Sequence, residues 1–221
     1  MGQPDIARLA GVLADPSRVA MLDVLFDGQA HAIGRLARRA GVTAQTASSH
    51  LARLLESRLV TVERAGRERR VRLAGPEVAE LLERMATLAR VPPARIADPI
   101  RIARTCYDHL AGMLGVLVTS ALVDKAWLHR TSDSLEPAPP LLDWLRDHGQ
   151  VVGDRKRPLS RACLDWSERV PHVAGQVGAA IATIFSDRSW IRRVRDSRAV
   201  RLTARGRTAL ARELGITLPG A

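Results

Sequence analysis

The two cysteines of this 221-residue chain each stand shortly before a histidine that opens a similar string of residues. Cys106 begins "CYDHLAGMLG", and Cys163 lies upstream of "PHVAGQVG". His109 and His172 therefore both start a His-apolar-Ala-Gly-x-apolar-Gly unit. Thiolate sulfur and imidazole nitrogen are ligands of zinc and related soft metals, and a thiol near a histidine or a helix N-terminus has a lowered pKa. Metal binding and thiol chemistry are both candidates for these residues.

Three functional interpretations of the paired units are open, beside an architectural one. Cys106 and His109 share a face of a predicted helix, and with Cys163 and His172 they could form a Cys2His2 set for zinc or a related soft metal. The cysteines could instead form a thiol switch, or the units could enclose a pocket for an organic effector. The aromatic walls of that pocket would be Tyr107, Trp127, Trp166 and Trp190. In the architectural interpretation, each histidine caps or pins a helix start in a packed repeat.

The spacing between cysteine and histidine differs between the two units. Cys106 precedes His109 by three residues, whereas Cys163 precedes His172 by nine, because the second unit contains the insertion "WSERVP". The unequal spacing favours the thiol switch and the organic pocket over a metal site.

The similarity predicts an internal duplication, with repeats at 106–150 and 163–218. At an offset of 63 residues, identical residue types fall on one another. His109, Ala111, Gly112, Gly115, Asp124 and Trp127 match His172, Ala174, Gly175, Gly178, Asp187 and Trp190. Because these matches involve rare residue types, chance explains them poorly.

The charge of the chain favours an anionic partner. The 34 Lys and Arg outnumber the 23 Asp and Glu, which gives a formal net charge of +11. DNA, RNA or an anionic membrane surface would match this charge. No apolar stretch of about 18 residues is present, so no membrane span is expected. The first residues lack a basic region followed by an apolar run, and two cysteines make no disulfide framework, so we expect a cytoplasmic protein.

The N-terminal residues predict a helix, a tight turn, a second helix and a β-hairpin. Asp15 is a plausible N-cap with Pro16 at the first helical position, and Thr43 is the N-cap of a helix over 44–57. Further helices are expected at 6–14 and at 33–40, the latter ending at Gly41, and the helix after Pro16 has the apolar face Val19, Leu22, Leu25 and Phe26. The hairpin arms are Leu59–Arg64 and Arg69–Leu73, with Gly66 in the turn. The last helix of this region has the apolar stripe Val78, Leu81, Leu82, Met85 and Leu88.

This layout is typical of a winged helix-turn-helix that binds double-stranded DNA. Ala47, Leu51 and Leu54 should face the core, which leaves short hydrogen-bonding side chains on the other faces of the same helix. The arginines of the hairpin should reach phosphates. The expected DNA-binding residues are Thr43, Gln45, Thr46, Ser48, Ser49, His50, Arg53, Arg64, Arg67, Arg69 and Arg70. His50 could contact DNA or only pack beside the helix.

Residues 6–90 resemble the ArsR/SmtB family of bacterial transcriptional repressors. The resemblance is carried by "LADPSR", by "SSHLARL" in the recognition helix, and by "SRLV" before the wing. It implies a homodimer formed by the first helix and the helix at 76–90, and repression relieved by an effector. Metal sensors of the family often carry a cysteine pair in the helix before the recognition helix, or Asp, His and Glu on the last helix. "AIGRLARRAG" has no cysteine and "PEVAELLERMATLA" has no histidine, so metal sensing cannot be carried over from the resemblance.

The predicted fold is mainly α with small β-hairpin wings. A winged helix-turn-helix domain at 1–90 is followed by a Pro-rich linker at 91–99 and a C-terminal sensor or effector domain at 100–221. A helical region is expected from about Ile100 to Trp127. We expect two degenerate helix-plus-wing repeats, the first of which has lost most of its wing.

These observations predict a dimeric, sequence-specific DNA-binding repressor. An effector or redox event in the C-terminal half would control its affinity for an operator, and a small molecule, a metal or an oxidant could be that effector. The candidate residues for this control are Cys106, His109, Cys163, His172, Tyr107 and Trp166. No phosphate-binding Gly-rich loop, "HExxH" or "GxSxG" is present, so no enzyme activity is expected. The alternative is a thiol- or metal-handling module or enzyme that carries a DNA-binding head.

Overall fold

The chain folds into two compact units, Met1–Leu81 and Leu82–Ala221. The computed structural model describes residues 5–66, 68–89, 98–131, 134–153, 157–195 and 197–217. Most of the Pro-rich segment predicted as a linker at 91–99 lies outside these residues, as does Arg67. Within the described residues, no helix has the length and apolar character needed to cross a membrane.

The first unit contains the helix-turn-helix and its wing. Its helices are α1 (Ile6–Leu13), α2 (Pro16–Leu25), α3 (Ile33–Ala40), α4 (Ala44–Glu56) and the first part of α5 (Pro76–Leu88). Its strands are β1 (His31–Ala32), β2 (Val60–Ala65) and β3 (Glu68–Leu73), and they form an antiparallel sheet in the order β1-β3-β2.

Local chemistry explains where these helices begin and end. The Asp15 side chain accepts hydrogen bonds from the backbone N–H groups of Ser17 and Arg18, and Pro16 occupies the first turn of α2. Gly41 ends α3 in the left-handed region at φ 66°, where a side chain would be strained. The Thr43 hydroxyl then caps α4. These predicted boundaries are confirmed.

The core of the first unit agrees with the predicted apolar faces, with one correction. Val19 was expected on the buried face of α2, but 47% of its surface is exposed, and Met21 is buried there instead. The main buried side chains are Leu13, Met21, Leu22, Leu25, Phe26, Leu36, Ala47, Leu54, Leu59, Val71 and Leu73.

The second unit contains two successive series with the same order of elements: hairpin, helix, hairpin, helix. After the short helix α6 (Pro99–Ile102), the first series consists of β4 (Arg104–Cys106), β5 (His109–Ala111), α7 (Gly112–Asp124), β6 (Leu128–Arg130), β7 (Leu135–Pro137) and α8 (Pro139–Asp147). The second consists of β8 (Arg161–Leu164), β9 (Pro171–Ala174), α9 (Gly175–Asp187), β10 (Ile191–Arg193), β11 (Val200–Leu202) and α10 (Ala204–Leu214). An origin by duplication remains a prediction.

The helical region predicted from Ile100 to Trp127 is wrong between Arg104 and Ala111. This segment is a β-hairpin with a two-residue turn, in which Tyr107 has a left-handed φ of 62°. Both strands are fully buried, so they show no period that distinguishes strand from helix. Gly112 starts α7 at φ 72°, where an added Cβ would lie 2.5 Å from the Arg101 carbonyl oxygen.

The prediction that the first repeat has lost most of its wing is also wrong. β6 and β7 pair antiparallel, as β10 and β11 do in the second series. The proline-rich sequence permits this because Pro137 lies at the end of a short strand in a two-stranded sheet, where few ladder hydrogen bonds are lost.

Candidate functional site

Helix α4 presents a polar face that its neighbours leave exposed. Ala47 and Leu54 are buried and Leu51 is half-buried, so the apolar stripe holds the helix against α2 and α3. The predicted DNA-binding side chains Thr43, Gln45, Thr46, Ser48, Ser49 and Arg53 are all exposed. The hydroxyls of Ser48 and Ser49 donate to the carbonyls of Ala44 and Gln45, one turn earlier. Their oxygens remain able to accept hydrogen bonds from base edges.

His50 differs from the other predicted DNA-binding residues on α4. Its ring is half-buried, and its Nδ1 lies 3.4 Å from Nη1 of Arg18. Arg18 is itself buried and donates to the carbonyl oxygens of Gly11 and Val12. These contacts support the packing interpretation of His50, which ties α4 to the junction of α1 and α2.

The wing carries like charges directly opposite one another. In the register of β2 and β3, Arg64 faces Arg69, and both side chains are exposed. Like charges in opposed positions destabilise a strand pair unless counter-charges neutralise them. Arg70 lies 3.1 Å from Glu68, which leaves the pair at Arg64 and Arg69 as the more available cations. Phosphate groups would relieve their repulsion.

In the second unit, the structure brings Cys106, His109, Cys163 and His172 together in one buried cluster. Their sulfur and ring-nitrogen atoms all lie within 4.8 Å of one another. Each side chain is at most 5% exposed. Cys106 pairs directly with His109 across β4 and β5, and Cys163 pairs directly with His172 across β8 and β9. The cluster is therefore built from two hairpins that each contribute one cysteine and one histidine.

This register explains why the unequal sequence spacing is compatible with equivalent positions. The shorter hairpin turns at Tyr107 and Asp108, whereas the insertion "WSERVP" extends the connection between β8 and β9. A longer loop changes the sequence separation of cross-strand partners without changing their geometry. The spacing was thus a poor argument against a shared site, because it assumed a helix where the chain forms a hairpin.

The two histidines face each other through their Nε2 atoms, and each has a carboxylate at its other nitrogen. The Nε2–Nε2 distance is 3.2 Å. His109 Nδ1 lies 3.2 Å from Asp108 Oδ1, and His172 Nδ1 lies 3.2 Å from Asp165 Oδ2. In a neutral imidazole, a carboxylate beside Nδ1 favours the tautomer with the proton on Nδ1. The Nε2 atom, which faces the cluster, then carries the free lone pair.

Arginines hold both carboxylates in place. Arg104 Nη2 donates to Asp165 Oδ1 at 2.9 Å, and neither side chain is exposed. Asp165 also accepts from the backbone N–H of Gly112 at 2.7 Å, and Arg157 forms the corresponding ion pair with Asp108. The outer partners of the histidines are therefore fixed rather than free to rotate.

The buried groups shift one another's pKa values. The hydrogen bond from Cys106, followed by the histidines, lowers the pKa of Cys163 to about 2 despite its burial, whereas the same hydrogen bond and burial raise the pKa of Cys106. Burial opposes the charged form of His172, but Asp165 and Cys163 outweigh burial and raise its pKa to about 9. The pKa of Asp165 is held well below its usual value. These directions favour the charged forms of Cys163, His172 and Asp165.

Close approach of the helices depends on two glycines of the repeated strings. α9 packs on β5 and α7 packs on β9. A Cβ at Gly178 would lie 2.5 Å from the Val173 carbonyl oxygen and 3.1 Å from Cβ of His109. A Cβ at Gly115 would lie 2.5 Å from the Leu110 carbonyl oxygen and 3.7 Å from Cβ of His172. Each glycine thus lets the helix of one series lie against the histidine of the other.

The four aromatic side chains predicted to line a pocket make different contacts. The Trp166 ring lies under the guanidinium of Arg104, 4.5 Å from its central carbon. Trp127 and Trp190 instead join an aromatic stack that runs through Trp144 and His148. Tyr107 lies at the hairpin turn. The described ring contacts do not join all four aromatic side chains, and a role of Tyr107 and Trp166 in effector binding stays a prediction.

Sequence reasoning missed the outer partners of the cluster, although a signal was present. "RTCYD" at 104–108 and "RACLD" at 161–165 share an Arg-x-Cys-x-Asp pattern. The aspartates of this pattern are Asp108 and Asp165, which back the two histidines, and its first arginine is Arg104. Alignment on the histidines concealed the pattern, because the insertion shifts the cysteine segments relative to them.

Comparison with known proteins supports the function of the first unit. The model of a protein family described as "Helix-turn-helix domain" matches residues 13–63. The chain is 36% identical over 226 residues to the uncharacterized HTH-type transcriptional regulator YdfF of Bacillus subtilis, with 97% of this chain and 99% of YdfF covered. It is 38% identical over 82 residues to the HTH-type transcriptional regulator CmtR of Mycobacterium tuberculosis, which covers 37% of this chain and 69% of CmtR.

A solved structure shows the same likeness over the N-terminal part. It is the homodimeric winged helix-turn-helix DNA-binding domain (fragment 1–100) of Mb0332 from Mycobacterium bovis, described as a possible ArsR-family transcriptional regulator. It is 30% identical, covers 39% of this chain and 87% of that chain, and has a TM-score of 0.35.

The first unit is a winged helix-turn-helix of the kind that binds DNA and regulates transcription, as its sequence predicted. The match to YdfF along nearly the whole of both chains shows that this chain belongs to the family of HTH-type transcriptional regulators.

Proposed function

We propose that the protein is a homodimeric, cytoplasmic repressor that binds a specific operator and is controlled by an effector event in the C-terminal unit. DNA binding is supported by the exposed polar face of α4 and by the opposed, exposed arginines Arg64 and Arg69 of the wing. Short hydroxyl and amide side chains suit base edges in a major groove, and exposed arginines suit the flanking phosphates.

A homodimer is supported by apolar surface that a single chain leaves uncovered. On α5, Leu81, Met85 and Leu88 are exposed, and on α1 Ile6 is 72% exposed. Exposed apolar side chains that recur on one face of a helix mark an interaction surface. A two-fold pairing of α1 and α5 would cover them and would present two copies of α4 to successive major grooves.

Control by the C-terminal unit is supported by a chain of contacts within that unit. Glu83, on the second part of α5, forms a buried ion pair with Arg198. The Arg198 carbonyl accepts the backbone N–H of Thr105 at 2.9 Å, and Thr105 is next to Cys106. These contacts would connect a change in the hairpin that carries Cys106 to the helix proposed to form the dimer.

The experiment selects operators from a random duplex library and measures affinity by fluorescence anisotropy at several salt concentrations. We expect a palindromic motif with half-sites about 10–10.5 base pairs apart or a multiple of that spacing. Ser48→Ala with Ser49→Ala should weaken the selected operator by about 1–3 kcal/mol per lost base contact and leave random DNA unaffected.

The wing variant has a matched control of equal charge. Arg64→Ala with Arg69→Ala should weaken all duplexes and reduce the salt slope by about 0.9 for each lost phosphate contact. Arg146→Ala with Arg212→Ala removes two exposed arginines from α8 and α10 instead. Equal losses in the two double variants would show a general charge effect and would refute the assigned interface.

A further inference from the structure

We propose that Cys106, His109, Cys163 and His172 bind one thiophilic divalent cation, best matched by Zn²⁺, and that loading this site is the effector event. The second half of this statement rests on the proposed repressor function, whereas the metal site itself does not. No described residue outside this cluster is needed as a ligand.

The donor atoms are the first reason. Two sulfurs and two imidazole nitrogens converge within 4.8 Å, and all four side chains are buried. This is the donor set of tetrahedral Cys2His2 zinc sites. The carboxylates at both Nδ1 atoms turn Nε2 inward, which is the arrangement by which metal-bound histidines are usually oriented.

The dimensions agree with a tetrahedral ion. Zinc–nitrogen bonds of about 2.0–2.1 Å place two tetrahedral nitrogens roughly 3.3 Å apart. The two Nε2 atoms lie 3.2 Å apart. The two nitrogens therefore already have the separation that a tetrahedral ion requires.

The charges also agree. The two positive charges of a divalent cation balance the negative charges of two thiolates, and two neutral imidazoles add no charge. The carboxylates behind them are already balanced, Asp165 by Arg104 and Asp108 by Arg157. One divalent cation with two thiolates and two neutral imidazoles would form a neutral buried centre, which avoids the cost of an unpaired buried charge.

A disulfide explains less of the geometry. It would use only the two sulfurs, would need an oxidant that reaches side chains at most 5% exposed, and would give the inward Nε2 atoms no role. Four protein ligands on one ion also leave no open position for a substrate, which favours sensing or stabilisation over catalysis.

The first part of the test uses Co²⁺ as a coloured substitute for Zn²⁺. Anaerobic, chelator-treated, full-length protein is titrated with Co²⁺. We expect the intense visible bands of a tetrahedral ion together with a thiolate-to-cobalt band, saturation at one ion per chain, and loss of colour on adding Zn²⁺. X-ray absorption of the zinc form should show two sulfurs at about 2.3 Å and two nitrogens at about 2.0–2.1 Å. Absence of the bands, or a shell without sulfur, would overturn the site.

Variants show whether these residues are the ligands. Cys163→Ser and His172→Gln should each lose the tetrahedral spectrum. His129→Gln, which changes an exposed histidine on β6, should keep it. Circular dichroism reports whether each variant folds. If a variant does not fold, the X-ray absorption of the wild-type zinc form shows whether two sulfurs and two nitrogens bind the ion. Retention of the full spectrum by the first two variants would refute the assignment.

The second part measures the affinity of chelator-treated and Zn²⁺-loaded protein for the selected operator. Loading should weaken it by about fivefold or more, the usual lower range of allosteric coupling, and Cys163→Ser should abolish the response. Equal affinities would overturn the effector role. Cobalt bands without any selected operator would support the metal site and refute the repressor function. Operator binding without cobalt bands would support the repressor function and refute the metal site.

Discussion

Asp165 shows how a residue outside the ligand set can determine the chemistry of the cluster. Its Oδ2 lies 3.2 Å from His172 Nδ1, and its carboxylate accepts from Arg104 at 2.9 Å and from the Gly112 N–H at 2.7 Å, so it faces the histidine and anchors the start of α7. The sequence revealed the cysteines and histidines as rare, repeated types. Asp165 also belongs to a repeated Arg-x-Cys-x-Asp pattern, but alignment on the histidines hid this pattern because the insertion shifts the cysteine segments.

Replacement of Asp165 should therefore weaken metal binding without removing a ligand. Asp165→Asn keeps the size of the side chain but removes the negative charge beside His172 Nδ1. We expect the affinity for Co²⁺ to fall by about 10–100-fold while the tetrahedral spectrum at saturation is retained. Asp143→Asn, at an exposed position on α8, is the control and should leave the affinity unchanged. An unaltered affinity in Asp165→Asn would exclude a positioning role.

At the scale of elements, the N-terminal unit was predictable because its signals are local. Asp15 and Thr43 cap helices, and Gly41 ends one, so that each boundary follows from a single residue and its neighbours. The hairpins of the second unit were not predictable in this way. Strands of three or four buried residues have no solvent-facing side to reveal a two-residue period, and their pairing depends on packing between distant segments.

Gly178 offers a test of the close packing between α9 and the first hairpin. In Gly178→Ala, the added Cβ would meet the Val173 backbone at 2.5 Å, so we expect destabilisation of about 1–3 kcal/mol and weaker Co²⁺ binding, since His109 must move. Gly11→Ala, in α1, meets no atom within 4 Å and should stabilise the fold by about 0.5–1 kcal/mol. Chemical denaturation measures both values, and a stabilised Gly178→Ala would contradict this packing.

The proposed operator binding requires two copies of the chain. The apolar stripe of α5 was predicted from its spacing, and Leu81, Met85 and Leu88 are indeed exposed in a single chain, while Leu82 is half-buried. The sequence predicts the apolar stripe but does not identify the surface that covers it. Exposed apolar side chains indicate an interface without showing which partner binds there.

Introducing a charge into this stripe should separate the protomers. Leu82→Asp would place a carboxylate in the proposed interface, where its desolvation is unfavourable. We expect monomers that no longer bind the palindromic operator but still bind one Co²⁺ per chain. Analytical ultracentrifugation measures the mass, and Glu77→Gln, at an exposed position on the same helix, is the control. A wild-type monomer at micromolar concentration would rule out the dimer.

Native mass spectrometry of the protein with its selected operator counts chains, ions and duplexes in one spectrum, so it tests zinc-controlled operator binding in a single experiment. We expect chelator-treated protein to appear as two chains on one duplex. After one equivalent of Zn²⁺ per chain, we expect a dimer that carries two ions and a smaller fraction of dimers on the duplex, in line with an affinity lowered by about fivefold or more. A monomer, a dimer that retains no Zn²⁺, or a zinc-loaded dimer that holds the duplex as firmly as before would contradict zinc-controlled operator binding.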